Sequence, residues 1–269
     1  EFYKARQVTT ADFVIVQDQK DILRHADRLP AVNKIAQGGY DGRGVQILKT
    51  TDDFTKAFDA PGVLEQMIPI QKEISQIVAI NESGETALFP PVDMVFDPHL
   101  NLLDFQISPA ELDEQVRRKI ESMALAVVRG LNSPGIFAVE LFIDPSGEVY
   151  VNETAPRVHN SGHHTIEGNF CSQFDMLWRI LLGYPLGNPK TLLPSALVNL
   201  LGEEGHQGRA VYAGLDEVLA MSNVFVHVYG KSHTKPGRKM GHVTILDENR
   251  TTLIHKAHKI RQMLRVKAD

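Results

Sequence analysis

The chain has 269 residues, which is enough for one large domain or two modest ones. Apolar residues make up 43% and charged residues 23%, so the sequence is not of a disordered, collagen-like or coiled-coil class. No apolar run reaches the roughly 18 residues that cross a bilayer, and no signal-peptide pattern opens the sequence, so we expect a cytoplasmic protein. The single cysteine, Cys171, excludes an internal disulfide and cannot hold zinc by itself.

Charge is unevenly distributed along the chain. The formal net charge is −5, yet the segment from Lys231 to the end contains ten Lys and Arg against three acidic residues. A basic end fits a phosphorylated small ligand, nucleic acid or a solvated helix face. No aromatic residue follows Tyr229, so the stacking platforms of a single-strand binder are missing and we expect no nucleic-acid partner.

Apolar periodicity predicts alternating strands and helices in the first third of the chain. Strands are predicted at 13–16, 31–36, 45–48 and 63–68, with short helices at 18–26 and 51–58. Residues 73–80 and 86–89 flank the polar stretch 81–85, which is typical of a hairpin.

The longest predicted helix runs over 108–131. Ser108 is its predicted N-cap, Pro109 lies in its first turn, and Glu111 completes a capping box. Apolar residues follow at helical spacing as far as Leu131, so this face is expected to belong to the core.

The remainder is predicted to be mixed as well. Residues 135–144 and 149–153 form a hairpin around 145–148, and 174–182 forms a helix. Strands at 224–229 and 243–246 are joined by a basic loop, 230–242, and an amphipathic helix ends the chain. The fold class is therefore α+β, and we place a boundary near Pro189 that separates units 1–188 and 189–269.

A glycine-rich segment lies between two of the predicted strands. Four glycines occupy seven positions, so the backbone can bend tightly and direct N–H groups at a phosphate. A plain hairpin turn is the alternative, but Lys34 on the preceding strand adds a cation and favours phosphate. The spacing matches neither a P-loop nor a dinucleotide-binding fingerprint. The segment consists of Gly38, Gly39, Tyr40, Asp41, Gly42, Arg43 and Gly44.

Two glutamates are predicted to face each other in the hairpin around 145–148. If residues 145–148 are the connection, Ile143 faces Tyr150 and Glu140 lies opposite Glu153. Adjacent carboxylates repel unless a cation lies between them or one is protonated. Exposure of both side chains to solvent is the alternative, but Glu140 interrupts an apolar strand. The pair therefore favours a hard divalent ion, Mg²⁺ above all.

A polar loop follows this hairpin and is rich in hydrogen-bonding groups. It reads NETAPRVHNSGHH from Asn152 to His164. No second Cys or His cluster completes a zinc site, and no serine lies in a nucleophile-elbow motif. Recognition of a polar ligand is the favoured interpretation.

These motifs together resemble the ATP-grasp superfamily. The resemblance rests on the glycine-rich loop after a lysine strand, on Glu65-Gln66 and Glu73-Ile74-Ser75, and on the paired glutamates. Within the superfamily, GGYDGRG, NETAPRVHNSGHHTIEG, SQF and YGK…PGRKMGH resemble the ATP-dependent carboxylases of purine synthesis, the N5-carboxyaminoimidazole ribonucleotide synthetase family. The similarity extends from about Val8 to the last helix.

The resemblance implies an ATP-grasp fold with a small, mostly β C-terminal domain, and a ligase that carboxylates aminoimidazole ribonucleotide with bicarbonate through carboxyphosphate. ATP and Mg²⁺ are the implied cofactors, no membrane partner is expected, and we expect a homodimer. Lys34 and Arg157 are the expected catalytic side chains. Nucleotide contacts are implied for Lys34, Gly38, Gly39, Tyr40, Asp41, Gly42, Arg43, Gly44, Glu65, Glu73 and Asn152, metal ligation for Glu140 and Glu153, and acceptor-substrate contacts for Arg157, His159, Asn160, Ser161, Lys231 and Arg238.

Family members carry an N-terminal Rossmann-like domain before the point where this chain begins, so we expect a truncated piece. Two other functions stay open. One is a nucleotide-binding module without turnover, and the other is an ATP-grasp ligase that activates a different carboxylic acid.

Overall fold

The computed structural model describes residues 1–39, 44–96 and 103–269. In these ranges none of the helices is both long and apolar enough to span a membrane. The helices are α1 (Phe2–Ala5), α2 (Gln19–Leu23), α3 (Glu114–Leu131), α4 (Thr165–Gly168), α5 (Gln173–Leu181), α6 (Leu215–Leu219) and α7 (Arg250–Met263). The strands are β1 (Phe13–Val16), β2 (Ala31–Ile35), β3 (Val45–Leu48), β4 (Gly62–Gln66), β5 (Lys72–Ile80), β6 (Thr86–Leu88), β7 (Val92–Phe96), β8 (Leu103–Ser108), β9 (Gly135–Ile143), β10 (Val149–Ala155), β11 (Ser195–Leu201), β12 (Gly208–Ala213), β13 (Val224–Val228), β14 (His233–Thr234), β15 (Lys239–Leu246) and β16 (Arg265–Ala268).

Four strands form a small antiparallel sheet in the order β1-β4-β2-β3. One face is closed by α2 and by a 3₁₀ segment, Thr51–Lys56, which bury Ile22 and Phe54 against the sheet. The helices predicted at 18–26 and 51–58 are therefore only partly correct. The first ends at Leu23, and the second is a 3₁₀ turn held by a capping box between Thr50 and Asp53.

A nine-stranded antiparallel sheet forms the body of the protein. Its strand order is β10-β9-β5-β7-β8-β11-β15-β13, and β6 pairs with β5. Helix α3 packs its buried residues on one face of β5, β9 and β10, whereas Met176 and Ile180 of α5 pack on the opposite face. The loop after β10 and helix α5 therefore cover the same face of the sheet.

The C-terminal strands continue the large sheet. Strand β11 pairs with β8 on one side and with β15 on the other, so the sheet runs across the predicted boundary near residue 189. Helix α7 buries Leu253, Ala257 and Ile260 against this part of the sheet. A third sheet, in the order β14-β12-β16, lies beside it. The division at residue 189 stays a prediction.

Helix α3 begins six residues later than predicted. Ser108 is the last residue of β8 and pairs with Ser195, so its backbone cannot also begin a helix. Asp113 is the observed N-cap, and the C-cap Asn132 adopts a left-handed conformation. The prediction failed because the local capping pattern competed with a strand partner 87 positions away.

The predicted basic loop over 230–242 is also wrong in part. Strand β15 already begins at Lys239, and β14 occupies two further residues of the segment. A turn at Lys235–Arg238, in which the Arg238 N–H donates to the Lys235 carbonyl, separates the two strands. In the sequence, alternation of apolar and polar residues begins only at Val243. Lys239, Gly241 and His242 interrupt the apolar pattern, although most of this strand is buried.

Candidate active site

The carboxylate pair is formed by the hairpin of β9 and β10. Glu140 and Glu153 are direct register partners, as predicted, although the route to that register differs. Ile143 pairs with Val149 rather than with Tyr150, and a β-bulge between Val151 and Glu153 adds one residue and restores the predicted pairing. The extra residue is Asn152, whose side chain the bulge directs toward the small sheet.

One row of polar residues crosses three neighbouring strands at this point. Ser75 of β5 pairs with Glu140 of β9, which pairs with Glu153 of β10. Glu73 lies two residues before Ser75 and therefore on the same face of the sheet. Three carboxylates thus line one face of the sheet in which the surrounding strand residues are largely apolar.

Burial alters the acidity of this cluster. Desolvation raises the pKa of Glu73 to about 7 and, reinforced by the charges of Glu153 and Glu73, raises the pKa of Glu140 to about 7. Glu153 itself is exposed. The cluster therefore holds more negative charge than it can readily stabilise alone, and a cation supplied from solution would relieve it.

Two cations that belong to the protein face the cluster. The charges of Lys239 and Arg157 favour the ionised form of Glu140 and lower its pKa. Arg157 was among the predicted site residues, but Lys239 was not. The sequence signal for Lys239 is its position next to Arg238, a predicted site residue, at the first residue of β15.

In the described residues no group of three or more His, Cys, Asp and Glu side chains is arranged to hold a metal ion. The two glutamates and Asn152 offer only hard oxygen ligands, which suit Mg²⁺ with ligand phosphates completing its shell. The chemistry of these side chains therefore fits the predicted metal, and ligation by Glu140 and Glu153 stays a prediction.

The small sheet contributes a lysine to the same region. Lys34 Nζ lies 2.7 Å from Glu65 Oε2 and donates a hydrogen bond to Asn152 Oδ1 at 2.7 Å. The register row that contains Lys34 is otherwise apolar, because its other members are Ile15, Val63 and Val45. An apolar surface beside a cation suits a heterocyclic base attached to phosphate.

Only part of the glycine-rich segment lies in the described ranges. Gly38 and Gly44 have φ values of +80° and +89°, which side-chain-bearing residues rarely adopt. The Ile35 N–H donates to the Gly44 carbonyl, so the segment starts and ends beside β2 and β3. Tyr40, Asp41, Gly42 and Arg43 lie outside the described residues.

The loop after β10 lies over the carboxylate row. His159 Nε2 lies 3.6 Å from Glu140 Oε1, and Asn160 is half-buried with a side-chain nitrogen that has no described partner. Ser161 has no exposed surface. The prediction that Ser161 contacts a substrate is therefore not supported, because its hydroxyl faces Ser75 and His159 instead.

A histidine cluster fills the junction between this loop and the C-terminal strands. The rings of His227 and His242 stack with centroids 4.4 Å apart, and those of His163 and His242 are 5.0 Å apart. Burial lowers the pKa of His163 to about 4 and that of His242 to about 3. Tyr229 donates to His242 Nδ1 or accepts from it at 2.9 Å. This cluster has no local signal in the sequence, because its members come from three separate segments.

Lys231 and Arg238 lie on the C-terminal side of the molecule. Lys231 Nζ donates to the carbonyl of Lys239 at 2.6 Å, and Arg238 Nη1 donates to the carbonyl of His233 at 2.9 Å. Both cations are thus anchored to the backbone around the turn between β14 and β15. Their predicted role at an acceptor phosphate stays a prediction.

Comparison with known proteins identifies the family. The ATP-grasp domain model matches residues 1–174, and the phosphoribosylaminoimidazole carboxylase C-terminal domain model matches residues 195–256. The N5-carboxyaminoimidazole ribonucleotide synthase of Bacillus subtilis is 34% identical over 244 residues, which cover 88% of this chain and 62% of the relative. This chain therefore spans less than two thirds of that relative's length.

Solved structures agree with the sequence matches. The crystal structure of N5-carboxyaminoimidazole ribonucleotide synthetase from Thermotoga maritima superposes with a TM-score of 0.90 at 37% identity, covering 100% of this chain and 71% of that one. An N5-carboxyaminoimidazole ribonucleotide synthetase in complex with ADP gives a TM-score of 0.85 at 34% identity, covering 96% and 68%. These matches show that the chain belongs to the ATP-grasp family and, within it, to the N5-carboxyaminoimidazole ribonucleotide synthetases.

Proposed function

We propose that this chain carries the nucleotide site and the acceptor site of an ATP-dependent carboxylase that converts 5-aminoimidazole ribonucleotide into N5-carboxyaminoimidazole ribonucleotide. The observation that carries the proposal is the register row of Glu140 and Glu153, with Lys34 linked to Asn152 at its edge. The family membership and the loop that places His159 over this row support it.

In this reaction an oxygen of bicarbonate attacks the γ-phosphorus of ATP, and the bond to the ADP oxygen breaks. The resulting carboxyphosphate separates into CO₂ and phosphate, and the exocyclic amine of the ribonucleotide attacks the CO₂ carbon and loses a proton. Phosphoryl transfer of this kind depends on positioning and on charge neutralisation rather than on a protein nucleophile. Mg²⁺ supplies part of that neutralisation when it is bound.

The protein's own residues have separate roles in this scheme. Lys34 and the backbone of the glycine-rich segment hold the phosphates. Glu65 of the small sheet and Glu73 of the large sheet contact the nucleoside part of ATP. Arg157, with Lys239 as an addition from the structure, offers positive charge to the bicarbonate and carboxyphosphate oxygens near Glu140. His159 and Asn160 line the acceptor side, and Lys231 and Arg238 bind the ribonucleotide phosphate.

The deciding experiment is ATP hydrolysis by the chain in the presence of Mg²⁺, bicarbonate and aminoimidazole ribonucleotide. We expect stimulation by the ribonucleotide. Stimulation by a different carboxylic acid would instead identify another ATP-grasp ligase, and nucleotide binding without any hydrolysis would identify a module without turnover.

A homodimer is part of the same proposal, and a cytoplasmic location stays a prediction. Trp178 and Leu181 of α5 are 62% and 66% exposed, and Phe170 and Tyr184 beside the helix are 62% and 59% exposed. So many exposed large apolar side chains around one helix are typical of a protein–protein contact. Light scattering should give twice the chain mass, and Trp178→Glu should give the monomer.

A further inference from the structure

A chain of buried polar groups lies behind the carboxylate row. The hydroxyls of Ser75 and Ser161 are 2.7 Å apart, and both residues have no exposed surface. Ser161 Oγ lies 2.9 Å from Nδ1 of His159, whose Nε2 lies 3.6 Å from Glu140 Oε1. The central strand β5 is thus connected to the carboxylate pair through two hydroxyls and one imidazole.

The contacts at Nδ1 indicate which nitrogen of His159 carries the proton. The backbone N–H of Ser161 points at His159 Nδ1 at 3.4 Å, so this nitrogen acts as an acceptor. A neutral imidazole that accepts at Nδ1 carries its proton on Nε2. The Ser161 hydroxyl then donates its single proton to His159 Nδ1. Its oxygen accepts from the Ser75 hydroxyl, so Ser75 is the first donor in this series of hydrogen bonds.

The backbone of His159 is fixed from the opposite direction. Gln173 Oε1 accepts from the His159 N–H at 2.9 Å, and Gln173 Nε2 donates to the His159 carbonyl at 2.8 Å. Gln173 is fully buried. A Cβ added at Gly162 would lie 2.5 Å from Gln173 Oε1, so position 162 has no room for a side chain. The backbone that carries the imidazole is therefore held in place, and the ring itself is held at Nδ1 by Ser161.

We propose that Ser161, supported by Ser75, is a positioning residue that holds His159 in the tautomer with its proton on Nε2. His159 then presents an N–H donor, not a lone pair, to an oxyanion bound beside Glu140. Such a group binds and polarises an oxygen but does not remove a proton. The identity of that anion, bicarbonate or a phosphate oxygen, rests on the proposed function, whereas the tautomer does not.

The tautomer is measured directly by NMR on the chain labelled with ¹⁵N-histidine, at a pH where neutral rings prevail. His159→Gln assigns the resonances. We expect Nε2 to carry the proton in the wild type. The Nδ1–H form should increase in Ser161→Ala, which loses the 2.9 Å hydroxyl contact and keeps only the longer backbone contact of 3.4 Å, and it should increase less in Ser75→Ala. Ser108→Ala is the matched control, because Ser108 is 2% exposed in the same sheet and its hydroxyl has no partner in the described part of the chain.

Two results would overturn the proposal: a wild-type proton on Nδ1, or a Ser161→Ala spectrum indistinguishable from wild type at His159. The spectra need no substrate, so a failure of the proposed carboxylase function leaves this test intact. If the chain turns over, Ser161→Ala should lower kcat about 10-fold, the usual effect of removing a group that orients an active-site ligand. The KM for ATP should stay within about twofold. The Ser75→Ala/Ser161→Ala double variant should match Ser161→Ala alone, because the two hydroxyls act in series.

Discussion

The carboxylate row and the histidine cluster respond to burial in opposite ways. Desolvation disfavours charge in both, so it raises the pKa of Glu73 and Glu140 and lowers the pKa of His163 and His242. The carboxylate row, however, keeps an exposed member, Glu153, and has Lys34, Arg157 and Lys239 nearby. The histidines instead stack on one another. His163 and His242 contact the neutral groups Gln173 and Tyr229, and the only carboxylate described against the cluster is Glu167, 2.8 Å from His227 Nε2.

This difference separates a ligand site from a packed junction. A buried carboxylate beside an exposed one gains stability when a cation enters, whereas His163 and His242, whose lowered pKa values keep them neutral, carry no charge that a ligand would neutralise. We therefore expect substitutions in the carboxylate region to change nucleotide binding, and substitutions in the histidine cluster to change the stability of the junction between the loop after β10 and the C-terminal strands.

The largest effect is expected from Lys34→Ala. The Lys34 side chain is 25% exposed and its ammonium is held by Glu65 and Asn152, so it is positioned before any phosphate binds. Loss of a preorganised charge of this kind costs roughly 10²- to 10³-fold in affinity or turnover. Titration with a fluorescent ATP analogue measures it. Lys56→Ala is the control, because Lys56 is an exposed lysine that pairs with Asp53 one turn away. Unchanged affinity and turnover would make Lys34 a surface charge.

Glu140→Gln and Glu153→Gln should each weaken Mg²⁺-dependent nucleotide binding by at least about 10-fold. The same changes should leave the fold intact or slightly more stable without ligand, because they remove repulsion between facing carboxylates. Melting curves with and without Mg²⁺ and an ATP analogue check both points. The metal assignment is wrong if ligand raises the melting temperature of both variants as much as that of wild type.

Arg238→Ala tests the acceptor-phosphate role proposed for the turn between β14 and β15. A guanidinium can bind phosphate through two hydrogen bonds, so its loss should raise the KM for the ribonucleotide about 10-fold while the KM for ATP barely changes. Lys259→Ala, in the exposed face of α7, should change neither constant. A selective effect on ATP, or none at all, would contradict the acceptor-phosphate role.

The smallest effect is expected in the pH dependence of stability, where the two regions should have opposite signs. Between about pH 4.5 and 7 the folded chain binds more protons at Glu73 and Glu140 than the unfolded chain does, so their contribution is full below pH 4.5 and is lost as the pH rises through 7. The unfolded chain binds more protons at His163 and His242 below about pH 6.5, so their contribution grows as the pH rises from about 4 to 6.5.

Glu140→Gln should therefore make stability rise more steeply with pH, and His242→Phe should make it rise less steeply. Each change in slope is limited to about 1.4 kcal/mol per pH unit, the value for one proton. Urea unfolding at a series of pH values measures the slopes. Slopes that move in the same direction in both variants would show that the two regions do not differ in this way.

Several features of this protein were determined by the sequence alone. The facing glutamates followed from a short hairpin connection within an apolar strand, and the prediction was correct although two single-residue differences cancelled. The strands at 13–16 and 45–48 have the predicted bounds, since alternation and nearby turn residues act locally. The motifs around Lys34 and the loop after β10 were enough to indicate the family.

Only the tertiary structure decided how distant segments meet. The start of α3 moved because Ser108 pairs with Ser195, and Lys239 joined the site because β15 continues a sheet that begins with the carboxylate strands. Ser161 was predicted to contact the substrate, but its hydroxyl is hydrogen-bonded to Ser75, which lies 86 positions earlier on β5. Such partners leave no periodic or local signal, since burial and hydrogen bonding across the sheet depend on the complete strand order.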